Sequence, residues 1–352
     1  MTSSVRAESI NTLLPTTVMG SYPQPAWLVD RKALVGAGVP RVRAEGIWRV
    51  DREQRAEAIE AATLVAIADQ EAAGVDIITD GEIGRESYFN HFATSLGGVD
   101  QEHTGVGVNR KGGKSDVPLV NGPIRREAPI ELDSARFLRA HTDRKTKVTV
   151  PGPFTLSQLA QNDHYPDQRA LAMAYATAVN EELRDLQAAG IDMLQIDEPY
   201  MQANAEAAEE FAIEAITAAL DGITASTTLH TCYGYAIYMN EKSGGYPFLS
   251  PLAALPVDYI AIEAAQPKLS PETAGSLAPR GVVFGVIDLG SLDVESPETV
   301  ASRIRPLTDH IDPAKLSVAP DCGMKYLPRP VAQAKLAAMV AGAAIVRSEL
   351  AG

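Results

Sequence analysis

Apolar and polar positions follow two alternating patterns along the chain. In eight segments a short apolar run rich in β-branched residues ends in a cluster of polar residues and glycine, a pattern typical of barrel strands whose carboxyl ends carry an active site. The segments are residues 16–22, 74–82, 147–155, 190–199, 223–234, 257–265, 281–290 and 316–323. We therefore predict eight strands.

Between these segments, apolar residues recur at the three- and four-residue spacing of amphipathic helices. The predicted helices are residues 55–73, 167–189, 205–220, 297–310 and 330–350. Regular alternation of strand and helix favours parallel strands joined by helical crossovers. We predict an α/β fold, a single (β/α)8 TIM barrel formed by residues 1–352.

The connection between the second and third predicted strands is longer than a barrel requires. The second and third predicted strands are separated by residues 83–146, whereas a strand-helix-strand unit needs only about 30 residues. Residues 97–143 of this connection include a polar part rich in glycine and proline. We expect a hairpin-like insertion there, over the barrel mouth, and residues 23–50 would cover another part of the same face.

Composition and charge narrow the class of protein. The chain has 352 residues, 45% of them hydrophobic and 22% charged, which suits a globular protein with a large core. Its net charge of -14 would repel nucleic acid and anionic lipid, so we expect neither as a partner. We also find no signal-peptide pattern and no uncharged apolar run of about 18 residues. We expect a cytoplasmic protein.

The chain has two cysteines, Cys232 and Cys322, each at the end of a predicted strand. In so long a cytoplasmic chain, two cysteines do not form a disulfide framework. Each cysteine is therefore either a small buried hydrophobic residue or a residue with a chemical role. His230 precedes Cys232 by two residues, and in extended backbone both side chains face the same side. Glu263 ends a further predicted strand. In a closed barrel these side chains would converge at the carboxyl-terminal rim.

Imidazole, thiolate and carboxylate are the usual zinc ligands, and four of them complete a tetrahedral shell. We predict that Zn²⁺ is bound by four residues: His230, Cys232, Glu263 and Cys322. The alternatives are a hydrogen-bonded core histidine, a salt-bridged glutamate and buried cysteines, or a purely structural zinc. Both cysteines lie beside metal-competent partners on separate strand ends, and this arrangement favours a catalytic site.

Seven motifs in order resemble the cobalamin-independent methionine synthase family, specifically its catalytic zinc barrel, which is related to the uroporphyrinogen decarboxylase-like barrels. The motifs are GSYP (20–23), DGE (80–82), GPFT (152–155), QIDEP (195–199), HTC (230–232), IEAA (262–265) and PDCG (320–323). The resemblance covers almost the whole chain. It implies the same four zinc ligands.

The resemblance also implies that Ser21, Glu82 and Asp197 hold the amino-acid part of homocysteine, with Glu82 and Asp197 as catalytic residues. A zwitterionic thiol needs carboxylates for its ammonium group and hydroxyl or amide donors for its carboxylate. Each residue also has an ordinary interpretation. Asp197 could simply end a strand, Glu82 could pair with Arg85, and Ser21 could be a turn residue.

The chain departs from the family pattern at the positions that the family uses to bind and protonate folate. It has one barrel where the full-length synthases have two. Gly290 stands where the family has a histidine that handles the proton of the folate leaving group. Residues 157–159 replace a tryptophan that stacks on the pterin, and Ala203 replaces a glutamate that contacts it.

We predict a zinc-dependent thiol alkyltransferase that methylates homocysteine to methionine. The methyl donor would be a small molecule or a methylated corrinoid protein rather than polyglutamyl methyltetrahydrofolate. The alternative is addition of another thiol, such as coenzyme M, to an epoxide or other alkyl electrophile. A metal-free barrel enzyme and a non-enzymatic zinc protein are two further possibilities with less support.

Overall fold

A curled sheet of seven parallel strands lies at the centre of the molecule, a computed structural model that describes residues 12–108, 113–238, 245–246 and 248–352. The strands are β1 (Ile77–Ile78), β2 (Gly97–Val108), β3 (Lys114–Arg125), β4 (Lys145–Pro151), β5 (Gln161–Asn162), β6 (Met193–Asp197), β7 (Ser226–Thr231), β8 (Tyr259–Ile262), β9 (Gly281–Ile287) and β10 (Leu316–Pro320). The central sheet has the order β1-β4-β6-β7-β8-β9-β10. This is the predicted α/β architecture, with a sheet curled like that of a TIM barrel.

The first predicted strand, residues 16–22, does not form a ladder. Thr16 makes a single parallel bridge to Val318 of β10, and Thr17 makes one to Ile77 of β1. The segment therefore lies between the two edge strands of the sheet. It ends early because Gly20 takes a left-handed conformation with φ of 109°, which turns the chain toward the mouth.

Helices surround the sheet. They are α1 (Arg31–Gly36), α2 (Arg55–Ala73), α3 (Asn90–Thr94), α4 (Leu132–Ala140), α5 (Pro153–Gln158), α6 (Gln168–Ala188), α7 (Tyr200–Ala203), α8 (Ala205–Ala219), α9 (Pro271–Gly275), α10 (Pro297–Ile304) and α11 (Arg329–Ala351), with short 3₁₀ turns at Glu45–Ile47, Ser250–Ala254, Arg305–Asp309 and Pro313–Lys315. Four predicted helices match α2, α6, α8 and α11 to within one residue at each end. The fifth, residues 297–310, stops being α-helical at Ile304, because Pro306 has no N–H to continue the ladder.

The third predicted strand is shorter in the structure than the sequence predicts, at its carboxyl end. Residues 147–155 were expected to be extended, but β4 ends at Pro151 and Pro153 begins α5. Proline suits the first position of a helix, since that N–H has no partner within the helix. The Glu198 carboxylate accepts the next two N–H groups, from Phe154 at 2.9 Å and Thr155 at 2.7 Å.

The predicted insertion, residues 97–143, contains both a hairpin-like sheet and a helix. Strands β2 and β3 pair antiparallel, and β5 adds to β3 in parallel. Residues 109–112, between β2 and β3 in the chain, lie outside the described part. Helix α4 packs against β4 and α6 and so takes the place of a barrel crossover helix.

Residues facing the inside of the curled sheet can be read from the strand register, since in-register neighbours of parallel strands face the same side. A small apolar cluster fills part of the interior: Met19, Ala261, Val283 and Ala319. The remaining inward positions include polar residues that are fully or almost fully buried: Lys147, Gln195, Thr228 and Ser317. The main apolar core lies outside the sheet, under the helices.

Helix α11 is long and apolar enough, by length and composition alone, to cross a membrane. However, 44% of its apolar window is buried inside the fold, and core helices often meet the same criterion. It packs against α10 and α2.

Candidate metal and thiol site

Three of the four predicted ligands meet at the carboxyl ends of the strands. Ligand atoms of His230, Cys232 and Cys322 all lie within 4.8 Å of one another, and the two Sγ atoms are 3.8 Å apart. All three side chains are buried. His230 lies near the end of β7, and Cys232 follows that strand on the same face. Cys322 follows β10 after an irregularity in register at Pro320.

The His230 ring is held by a carboxylate. Its Nδ1 is 3.0 Å from Asp197 Oδ1, which also accepts a hydrogen bond from Gln195 Nε2 at 2.7 Å. Because a carboxylate accepts, Nδ1 carries a proton, and Nε2 is the ring atom that would bind a metal. Nε2 is buried, and Cys232 interacts with the ring through its negative charge and a hydrogen bond. This is the arrangement of a histidine prepared for a metal.

The electrostatics of the cluster favour a cation. Burial alone lowers the pKa of His230, but the negative charge of Cys232 and the hydrogen bond to Asp197 outweigh it and raise the pKa to about 10. Negative groups that hold a proton on the ring would stabilise a metal ion at the same place. The donor set therefore fits Zn²⁺, which takes imidazole and thiolate ligands.

Glu263, the fourth predicted ligand, is not a member of this three-residue group. It is fully buried directly after β8. The Tyr246 hydroxyl fixes its backbone, accepting from Glu263 N–H at 2.8 Å and lying 3.1 Å from Glu263 O. The structure thus brings together three predicted ligands and does not include the fourth in the group.

The three residues predicted to hold the substrate line the same cavity as the ligands. Its walls are Met19, Ser21, Glu82, Tyr88, Asp197, Pro199, His230, Cys232, Gly234, Tyr235, Cys322 and Gly323. The carboxylates of Glu82 and Asp197 and the hydroxyl of Ser21 therefore line the same cavity as the three candidate metal ligands. Such a set could bind a molecule that carries both a thiol and an ammonium group.

Glu82 has a constrained backbone and one carboxylate oxygen without a hydrogen-bond partner. Its φ is 52°, in the left-handed region, which is uncommon for a residue with a side chain. Oε1 accepts from Thr149 Oγ1 at 2.8 Å, whereas buried Oε2 has no hydrogen-bond partner within the described structure. Burial raises the pKa of Glu82, and the nearby Arg85 and Lys325 oppose this.

The alternative pairing of Glu82 with Arg85 is weak. The closest approach, to Glu82 Oε1, is 4.0 Å. Arg85 instead lies 3.1 Å from Glu131 Oε1 and donates to Thr149 O at 3.0 Å. Glu82 Oε2 thus remains available to a ligand.

Ser21 owes its place to a glycine on the opposite loop. A Cβ on Gly323 would lie 2.1 Å from Ser21 Oγ, so any side chain at this position would have to displace the Ser21 hydroxyl. Met324 N–H donates to Ser21 O at 2.7 Å, which ties the two loops together. The Ser21 hydroxyl lies 3.5 Å from the Tyr235 hydroxyl.

The sequence interpretation did not single out Tyr235, Gln195 or Asp321. Asp321 accepts three backbone N–H groups of residues 264–266 at 2.7–3.0 Å and so anchors the loop after Glu263 next to Cys322. Gln195 and Asp321 lie inside the QIDEP and PDCG motifs, so their motif membership was a signal. Tyr235 had no comparable signal.

A second cavity adjoins the first. It has a volume of about 290 Å³ and shares Tyr235 and Gly323 with the thiol cavity. Its described lining contains no charged side chain: Tyr235, Ala236, Ile237, Leu289, Gly290, Leu292, Gly323, Met324, Tyr326 and Leu327. Gly290 is in this wall.

Comparison with known proteins shows the family of the chain. A family model described as "Cobalamin-independent synthase, Catalytic domain" matches residues 14–345. The chain belongs to this family, and its relatives indicate a methyltransferase.

Two relatives and one solved structure illustrate the similarity. The methionine synthase of Sulfolobus acidocaldarius is 35% identical over 342 residues, covering 96% of this chain and 94% of the relative. That of Thermococcus kodakarensis is 33% identical over 343 residues, covering 96% and 95%. The structure of a B12-independent methionine synthase from Shewanella sp. W3-18-1, in complex with selenomethionine, matches with a TM-score of 0.88 at 32% identity, covering 97% of this chain and 99% of that one.

Proposed function

We propose that the protein is a zinc-dependent methyltransferase that methylates homocysteine to methionine. The observation that carries the proposal is His230, whose Nδ1 is held by Asp197 and whose ligand atom lies within 4.8 Å of the sulfur atoms of two cysteines. The structure of the Shewanella relative is a complex with selenomethionine, an analogue of the proposed product, and this supports the proposal.

His230, Cys232 and Cys322 would hold the zinc ion, and Glu263 would be a fourth ligand that yields its place when the substrate thiol binds. When bound, zinc supplies Lewis acidity that converts the substrate thiol, with an ordinary pKa near 8.5, into a thiolate at neutral pH. Two protein thiolates would leave little positive charge on the metal, so the substrate sulfur would stay nucleophilic.

The remaining side chains of the cavity would bind the amino-acid part. Glu82 Oε2 and the Asp197 carboxylate would accept hydrogen bonds from the substrate ammonium, and the Ser21 hydroxyl would donate to its carboxylate. The buried walls would exclude water and hold the sulfur in line with the methyl group. Cytoplasmic localisation follows as part of the same proposal.

The methyl donor would bind in the second cavity. A sulfur–carbon bond forms as the bond between the methyl carbon and its donor breaks. If that donor is a tertiary amine such as methyltetrahydrofolate, the leaving nitrogen must take a proton. The cavity has no charged or histidine side chain to supply it among the described lining residues. A methylated corrinoid needs no proton, so a methyl-corrinoid protein or methylcobalamin fits the site better.

The other candidate, addition of coenzyme M to an epoxide or alkyl electrophile, shares the thiolate chemistry. It fits less well because the sulfonate of coenzyme M would face the Glu82 and Asp197 carboxylates, whereas homocysteine brings an ammonium group to them.

A side-by-side calorimetric titration of the zinc-loaded protein with homocysteine and with coenzyme M tests the choice. We expect binding of homocysteine and release of about one proton per thiol bound near neutral pH. Binding of coenzyme M alone would refute the proposal, and so would the absence of bound zinc in protein prepared with the metal.

A further inference from the structure

Two buried polar groups under the metal cluster lack partners. Lys147, in β4, is completely buried, and its Nζ has no hydrogen-bond partner among the described residues. Gln195, in β6, is equally buried, and its Oε1 also lacks a donor there. A buried donor or acceptor left unpaired costs about 1–3 kcal/mol, so such groups are usually satisfied by each other or by ordered water.

The strand register places these groups side by side inside the barrel. β4 and β6 are neighbours, with Lys147 opposite Met193 and Thr149 opposite Gln195. Lys147 therefore faces the interior one inward position below Gln195, on the adjacent strand. A lysine side chain is long and flexible enough to reach that position through one water.

The orientation of the Gln195 amide is determined by its other contacts. Nε2 donates to Asp197 Oδ1 at 2.7 Å and to Met19 O at 3.4 Å, and both of these atoms can only accept. The amide oxygen must therefore point away from Asp197 and needs a donor.

Lys147 has hydrogens to donate in either protonation state. Burial lowers its pKa to about 7, against the opposing charges of Asp197 and Glu82. An ammonium group has three N–H bonds and a neutral amine has two. The unpartnered hydroxyls of Thr228 and Ser317 in the same interior are further sites where water could be held.

We propose that Lys147 is a positioning residue of the metal centre. It donates to Gln195 Oε1 through one ordered water and so fixes the amide that holds Asp197, which in turn orients His230. The inference rests on the proposed zinc function, because it assigns a purpose to the orientation of a metal ligand. Partners behind a metal-bound histidine typically change metal affinity by about 10–100-fold.

The test is zinc affinity, measured by competition with a chromophoric chelator. K147M removes the donor and keeps the length of the chain, and we expect its zinc dissociation constant to rise at least about tenfold. K147Q keeps an N–H donor without the charge and should stay within about threefold of the wild type. The thiolate-to-metal bands of the cobalt(II)-substituted protein should shift in K147M, because the ring geometry changes.

K335M is the matched control. Lys335 is also completely buried, but it lies in α11 and donates to Glu295 Oε2 at 2.8 Å and Asp288 O at 2.9 Å. Its removal should lower thermal stability and leave zinc affinity and the cobalt spectrum unchanged. The control separates loss of a buried amine in general from loss of this one.

A double-mutant cycle tests the route through Gln195. If Lys147 acts through the amide, K147M should have no further effect on zinc affinity once Q195L is present. Full additivity would overturn the inference, and so would K147M with wild-type zinc affinity and cobalt spectrum. If K147M does not fold, K147L, which also removes the donor, takes its place in the cycle with Q195L. A wild-type protein that binds no zinc would instead refute the proposed function itself.

Discussion

Replacing Asp197 by asparagine separates the two contacts of this carboxylate. Oδ1 already accepts from His230 Nδ1 at 3.0 Å and from Gln195 Nε2 at 2.7 Å. Asparagine keeps one oxygen that can serve both donors, so His230 should keep its orientation. The second oxygen becomes an NH₂ group, which cannot accept from the substrate ammonium.

The expected cost follows from the loss of one charge-assisted hydrogen bond, about 1.5–3 kcal/mol. This corresponds to a homocysteine dissociation constant raised by about 10- to 150-fold. Zinc content should stay near one per chain, because the ligand set is unchanged. The measurements are metal analysis followed by calorimetric titration of the zinc-loaded variant with homocysteine.

D192N is the control for this experiment. Asp192 precedes the same strand at its opposite end, where it contacts Lys145 at 2.9 Å and Arg139 at 3.2 Å. That variant should lose some stability and bind homocysteine as the wild type does. The reasoning would be refuted if D197N bound zinc fully and homocysteine with unchanged affinity, and the substrate would then be a thiol without an ammonium group.

Three further predictions address the metal, the pocket and the donor. C232S and C322S should each lose tight zinc binding, since each removes a thiolate; full zinc in both, by metal analysis, would show that the site is wrong. G323A should retain zinc but lower kcat/KM for homocysteine by about 10²-fold, because its Cβ displaces Ser21 Oγ; an unchanged value would exclude Ser21 from binding. Methionine formation should be slow with polyglutamyl methyltetrahydrofolate and faster with methylcobalamin, because Gly290 cannot supply a proton and general acid catalysis contributes about 10²–10⁴-fold; folate turnover near one per second or faster would contradict this.

Sequence patterns located the elements that carry strong local signals. Helix α2 has the predicted bounds, because its apolar periodicity ends at Gly74, a left-handed C-cap with φ of 83°. The strand ends bearing His230 and Cys322 were found because the switch from apolar to polar residues is itself a local feature. The predicted bounds were wrong where two local signals compete. Pro153 was assigned to a strand, although proline also favours the first position of a helix.

The sequence by itself determined the order of strands and helices, the family, and three residues that meet as a candidate metal cluster. Only the tertiary structure decided that Glu263 is not a member of that cluster, that Asp197 contacts His230, and that Lys147 lies beneath Gln195. These relations depend on how strands far apart in the chain align side by side. Register is set by packing over the whole barrel, and a shift by one residue would turn each inward side chain to the opposite face.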